Sequence, residues 1–149
     1  MKNWILALAA TCLALPALAE EKKIEITGND QMQYSTKAIE VTAGDSVTLT
    51  LKHIGQLPKA AMGHNFVLLK MGTRTQDFGM KAMKATTTDY VPTDDETKKE
   101  VIAHTKVVGG GESDTITFTA PKEAGEYPYI CSFPGHFTLM QGVFTVKAK

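Results

Sequence analysis

Glu126-Tyr127-Pro128-Tyr129-Ile130-Cys131-Ser132-Phe133-Pro134-Gly135-His136-Phe137-Thr138-Leu139-Met140-Gln141-Gly142-Val143-Phe144-Thr145-Val146 is the stretch that decides the architecture. Tyr127 to Cys131 and Val143 to Val146 are rich in aromatic and β-branched residues, as strands are. Between them Pro134-Gly135 forces a reversal, because proline presets one dihedral and glycine tolerates the turn. The loop carries a thiol, an imidazole and a thioether in the pattern Cys-x4-His-x3-Met. Cys131 closes the incoming strand, and Met140 opens the outgoing one.

Outward from this loop the same strand grammar repeats. Ile24-Glu25-Ile26-Thr27, Val47-Thr48-Leu49-Thr50-Leu51 and Ile116-Thr117-Phe118-Thr119 alternate apolar and polar residues, the period of half-buried strands. Phe66 to Leu69 and Val101 to Val107 add two more. Turn signals at Gly28-Asn29-Asp30, Ala43-Gly44-Asp45, Gly109-Gly110-Gly111 and Ala124-Gly125 separate the runs. Seven or eight short strands at this spacing predict an all-β, antiparallel sandwich closed by long connections. Gly72 to Tyr90 breaks the pattern with Phe78, Met80 and Met83 and predicts a helix outside the sheets. Thr86 to Lys99 is polar and reads as loop.

Residues 1–19 read as an export signal. Lys2 is the basic start, Trp4 to Leu15 the apolar run, and Ala17-Leu18-Ala19 a small-x-small cleavage site. Cleavage there leaves residues 20–149 as one domain, long enough to bury about two thirds of its unfolded surface. Lipidation at Cys12 is the weaker alternative, since Ala9-Ala10-Thr11 fits such a site poorly. Sixteen basic residues balance sixteen acidic ones. With no basic stripe and no polybasic patch, nucleic acid and membrane are not expected partners. Cys131 is the single cysteine of the expected mature segment, so there is no disulfide framework and it reads as an intermolecular bridge, a reactive thiol or a metal ligand.

Met62-Gly63-His64-Asn65 supplies a second imidazole. Loops cluster at the two ends of a sandwich, so His64 can meet Cys131 and His136 at one end. Two imidazoles, a thiolate and a weak axial thioether from Met140 form the donor set of a blue-copper centre. Soft sulfur suits Cu(I) and imidazole suits Cu(II), so a compromise geometry serves both oxidation states. Four protein donors leave no easy place for a substrate, which argues against an enzyme.

The chain resembles the azurins, type 1 blue copper proteins of the cupredoxin family. The likeness rests on Met62-Gly63-His64-Asn65, Cys131 to His136 and Leu139-Met140. Gly28-Asn29-Asp30-Gln31-Met32 and Val101-Ile102-Ala103-His104-Thr105-Lys106 extend it over nearly all of the mature segment. The resemblance implies a cupredoxin-like Greek-key β-sandwich of about eight strands with one external helix. It implies one copper ion per chain, with His64, Cys131 and His136 as strong ligands, Met140 axial and the Gly63 carbonyl as a weak fifth donor. Asn65 would tie the two ligand loops together and donate near the thiolate. Leu57, Met62, Phe133, Pro134 and Leu139 would form an apolar patch around His136. There c-type cytochromes, reductases or oxidases of the periplasm would dock transiently. Three departures stand out: the family's usual disulfide is missing, Phe66 stands where Trp is common, and Phe137 is bulkier than the residue expected after His136.

The residues also admit plainer readings. The same donors could buffer or deliver copper, or hold zinc. His53 reads as a structural histidine that the resemblance places near the site, and His104 as a surface or edge residue. Met71, Met80 and Met83 read as packing residues rather than a second metal cluster. Asp94-Asp95-Glu96 reads as a solvated acidic turn, lacking the spaced oxygens of a calcium loop.

Overall fold

The computed structural model describes residues 19–149; the expected export signal, Cys12 included, lies outside the described residues save for Ala19. The chain runs β1 (Glu21–Gly28), β2 (Ala38–Thr42), β3 (Ser46–His53), α1 (Lys59–Met62), β4 (Val67–Leu69), α2 (Thr75–Ala82), β5 (Val101–His104), β6 (Ser113–Thr119), β7 (Gly125–Ile130) and β8 (Gln141–Lys147). Single 3-10 turns occupy Thr97–Glu100 and His136–Thr138. The strands form a three-stranded sheet ordered β1-β3-β6 and a five-stranded sheet ordered β2-β8-β7-β4-β5.

Alternation explains β3. Val47, Leu49, Leu51 and His53 all point inward and are buried. The threonines between them face outward and pair with those of β6, Thr48 with Thr117 at 3.3 Å and Thr50 with Thr115 at 2.8 Å. His53 is therefore buried because it is in phase with three core residues.

β4 does not alternate, and the packing gives the reason. Leu68 enters the core between the sheets with Ile26, Leu49, Phe66, Tyr129 and Phe144. Val67 and Leu69 face the other way, into a second apolar cluster with Phe78 and Ala82 of α2, Val91, Ile130 and Phe137. A strand covered on both faces has no reason to show a polar period.

The expectation of an antiparallel sandwich needs correction. β3–β6, β4–β5, β4–β7 and β7–β8 are antiparallel, but β1 pairs with β3 in parallel and β2 pairs with β8 in parallel. Parallel neighbours need a crossover. Here β2 is that crossover: the chain leaves β1, passes through the other sheet as β2, and returns as β3. β2 was missing from the expected strands, although Ala38-Ile39-Glu40-Val41-Thr42 alternates. The helical turn α1 was also unforeseen. The expected strand from Val101 to Val107 ends at His104, where Thr105 turns its hydroxyl to accept from Phe66 N at 2.9 Å.

The external helix is α2, shorter than the segment expected to contain it. Met83 packs against the second cluster and Met71 against the first. Met80 does not: it is 56 % exposed, because it lies on the solvent side of α2, so packing does not explain it. At the end of the sandwich away from Cys131, the buried Asp45 carboxylate accepts from Thr42 N at 2.9 Å and Glu20 N at 3.3 Å. Backbone bonds Ser46 N to Glu20 O and Ala120 N to Asp45 O join the same point. This cluster gathers the starts of β1 and β3 and the end of β6.

Candidate metal centre

The opposite end is built from four loops cross-linked by backbone and side-chain hydrogen bonds. His64 and Val108 exchange both amide bonds, at 3.0 and 2.8 Å, and Gly110 N donates to Leu57 O at 2.9 Å. The Asp30 carboxylate accepts from Gln56 N at 2.8 Å and Leu57 N at 3.3 Å. These bonds hold its carboxyl below the usual range.

The Cys131–Met140 loop closes on itself. Cys131 N donates to Met140 O at 2.9 Å, Met140 N to His136 O at 2.8 Å, and His136 N to Phe133 O at 3.0 Å. Gly135 makes the reversal with φ of 80°, a left-handed conformation that favours glycine.

His64 is oriented from two sides. Its Nε2 faces the Asn29 carbonyl at 2.8 Å. A carbonyl only accepts, so Nε2 carries the hydrogen and the lone pair resides on Nδ1. The ring stacks on His53 with centroids 4.3 Å apart. His53 is itself satisfied, with Nε2 on Met62 O at 2.8 Å and Nδ1 accepting from Gly55 N at 3.0 Å.

Three donor atoms converge. His64 Nδ1 and His136 Nδ1 are 3.2 Å apart, and Cys131 Sγ lies 3.9 Å from the first and 3.7 Å from the second. A point in their plane equidistant from all three is about 2.1 Å from each, the range in which imidazole nitrogen and thiolate sulfur bind a first-row ion. The Gly63 carbonyl is 3.9 Å from Cys131 Sγ. Met140 is fully buried, and its methyl and the His64 ring flank Gly28: a Cβ there would fall 2.6 Å from His64 Cδ2 and 3.4 Å from Met140 Cε. The sequence-derived residues His64, Cys131, His136, Met140 and Gly63 are thus gathered at one end, from opposite halves of the chain. His104 is apart, exposed on edge strand β5.

The electrostatics fit a cation. Burial pushes the Cys131 thiol up to about 12, against the opposing pull of the Asn65 and Phe133 backbone N–H groups. Burial, then the nearby His64 and His53, pull His136 down to about 4. Burial likewise lowers His64. Two neutral imidazoles beside a thiol form a pocket of lone pairs, which a metal ion satisfies while displacing the thiol proton.

The Asn65 side chain ties the two loops together, as the resemblance implied, through Ser132 beside Cys131. Its Nδ2 donates to Ser132 Oγ and to Asp89 O, both at 2.8 Å, and its Oδ1 accepts from Ser132 N at 2.8 Å. The N–H groups acting on the sulfur are backbone ones, of Asn65 and Phe133. Sequence reasoning missed Ser132, whose hydroxyl donates to Tyr90 O at 2.7 Å, and Tyr34, whose hydroxyl donates to Asn65 O. It also missed Asp30, although Gly28-Asn29-Asp30 was legible as a turn.

Around His136, Leu139 is 55 % and Leu57 41 % exposed, with Pro134 exposed and Met62 half-buried. Phe133 differs from expectation. It is buried, packing on His136 with centroids 4.8 Å apart and edge-on to Tyr90, so it supports the patch from beneath. Phe137 points away from the patch into the second cluster, which accommodates its bulk.

Residues 20–147 match the family described as copper binding proteins, plastocyanin/azurin family. The azurin of Alcaligenes faecalis is 48% identical over 124 residues, covering 80% of this chain and 93% of that protein. The azurin of Achromobacter denitrificans is 45% identical over 149 residues, covering 95% of each. Among solved structures, auracyanin A, a "blue" copper protein from Chloroflexus aurantiacus, superposes with a TM-score of 0.76 at 32% identity, over 85% of this chain and 99% of that one. The dithionite-reduced auracyanin of Roseiflexus castenholzii gives 0.75 at 33% identity, over 87% and 99%.

Proposed function

The chain belongs to the plastocyanin/azurin family of copper binding proteins, and from that premise we propose that it is a periplasmic single-electron carrier. His64, Cys131 and His136 are the strong ligands of one copper ion, with Met140 and the Gly63 carbonyl as weaker donors. The convergence of two Nδ1 lone pairs and one Sγ within a triangle of 3.2, 3.7 and 3.9 Å carries the reading. Copper bound there supplies a Cu(II)/Cu(I) couple.

The protein's own part is positional. His64 is clamped between Asn29 O and the His53 ring, and the Cys131–Met140 loop is bonded to itself and to Asn65. Donors held this way move little when the charge between them changes. His64 and Cys131 are fully buried, whereas His136 is 4 % exposed, so its ring edge is where the site reaches the surface. Leu57, Pro134 and Leu139 around that edge exclude water and support brief contact with a c-type cytochrome, a reductase or an oxidase. Small, weak interfaces suit such exchange.

Burial of the donor set favours this reading over copper delivery, which needs an open site, and over bond-making catalysis. Residues 1–19 would direct export, and 20–149 would be the working domain. The visible absorption of the copper-loaded, oxidised protein is the test. An intense thiolate-to-copper band is expected, and Cys131→Ser should abolish it. A colourless copper-loaded wild type would refute the assignment. Zinc in the same donors gives a colourless protein too, so metal content must be measured beside the spectrum.

A further inference from the structure

The loop that carries His136 is self-bonded, but self-bonding alone does not fix where it sits on the sandwich. Its first half is fixed from outside through Ser132, held by Asn65 and Tyr90. Its second half has a different anchor. Phe137, the residue after His136, is 3 % exposed and sits against α2.

Residue 79, in the body of α2, is a glycine, although glycine is disfavoured relative to alanine in a helix interior. Space explains the choice. A Cβ at Gly79 would fall 2.3 Å from Phe137 Cγ and 2.5 Å from both Cδ1 and Cδ2. The missing side chain is a notch, and the Phe137 ring fills it. Thr75 Oγ1, one turn earlier on the same helix, donates to Gln141 Oε1 at 3.1 Å, just past Met140. α2 thus touches the loop on both sides of the Leu139-Met140 segment.

We propose that Phe137 is a positioning residue for His136, and that Gly79 of α2 is its seat. The helix outside the sheets then serves the metal centre, holding the imidazole in register with His64 and Cys131 whether or not an ion is present. This rests on the assignment of His136 as a ligand. The role belongs to the aromatic ring after His136, the residue that looked out of place in the sequence.

Three variants of the full chain test it: Gly79→Ala, which drives a methyl into the ring; Gly79→Ala with Phe137→Leu, which shrinks the ring to make room; and Leu69→Ala, which weakens the same cluster from the end of β4 away from His64. The first readout is metal release from the zinc- or copper-loaded protein to excess chelator. The second is the exchange broadening of the His136 imidazole signals in the metal-free protein. Gly79→Ala should release metal about tenfold faster, the scale on which groups supporting a ligand act, and should broaden His136. The double variant should recover most of both effects. Leu69→Ala should lower the melting temperature while leaving both readouts near wild type. The proposal is overturned if Gly79→Ala matches wild type, if the double variant recovers neither effect, or if Leu69→Ala moves the readouts equally. Should Gly79→Ala not fold, Phe137→Leu alone against Leu69→Ala decides by the same readouts. Because the imidazole signals are read without metal, a failed ligand assignment and a failed seat give different results.

Discussion

Asn65→Ala is the most informative single perturbation of the scaffold around the site. The amide makes three hydrogen bonds, two to Ser132 and one to Asp89 O, and is fully buried. At about 1 kcal/mol net apiece, losing them costs about 3 kcal/mol. The buried Ser132 N–H also loses its acceptor, which adds roughly 1 kcal/mol or more. The expected loss is about 4 kcal/mol, a large share of the roughly 5–15 kcal/mol that holds a domain of this size. With a urea slope of about 2 kcal/mol/M, the midpoint of the metal-free protein should fall by about 2 M. Near-ultraviolet circular dichroism of the tyrosines follows the transition. Ser132→Ala and the double variant complete a cycle, in which coupling of at least about 1 kcal/mol is expected. A loss below about 1 kcal/mol for Asn65→Ala, or no coupling to Ser132, would refute the view that this amide joins the two ligand loops.

Copper loading at pH 7 should release about one proton per ion, since the Cys131 thiol is held near 12 while both imidazoles are already neutral; calorimetry in buffers of different ionisation heat counts it, and a count of two or none contradicts the charge states. Because His136 is held near 4 against an ordinary 6.5, the unfolded chain binds its proton first, so the metal-free protein should lose stability as pH falls from about 6.5 to about 4; a melting temperature flat across that window counts against it. Leu139→Asp, at an exposed position, should slow electron exchange with a redox partner while leaving melting temperature and visible band unchanged, whereas Phe133→Asp should destabilise the fold by several kcal/mol, about what an unpaired buried charge costs; stopped-flow mixing and thermal melts separate the two. Asp45→Ala should cost about 2 kcal/mol at the far end of the sandwich, through two lost hydrogen bonds, with no change in the copper spectrum; a spectral change would mean that the two ends are coupled.

What the sequence made legible follows from which residues keep a local rule. β3 and β6 alternate because one face is wet, and both were found. β4 hides its period because Val67 and Leu69 meet α2 while Leu68 meets the core. The parallel pairings were invisible because a strand's own residues do not record its partner's direction. The metal donors were legible because each is chemically rare and the spacing from Cys131 to Met140 is short. Their supports were not. Ser132, Tyr34 and Asp30 act through hydrogen bonds to groups far away in sequence, and no local pattern marks such a bond. Phe137 was noticed as too large, but its reason lies at Gly79, in a segment read only as helical.

The His64 and His136 nitrogens face each other across 3.2 Å, each ring aimed by contacts that owe nothing to an ion. A socket cut to shape beforehand separates two events in the life of the molecule. The chain can finish folding first, and an ion can enter afterwards. The price is congestion at the doorway: entry has to pass beside one nearly covered imidazole, so filling should be slow, selective and hard to reverse.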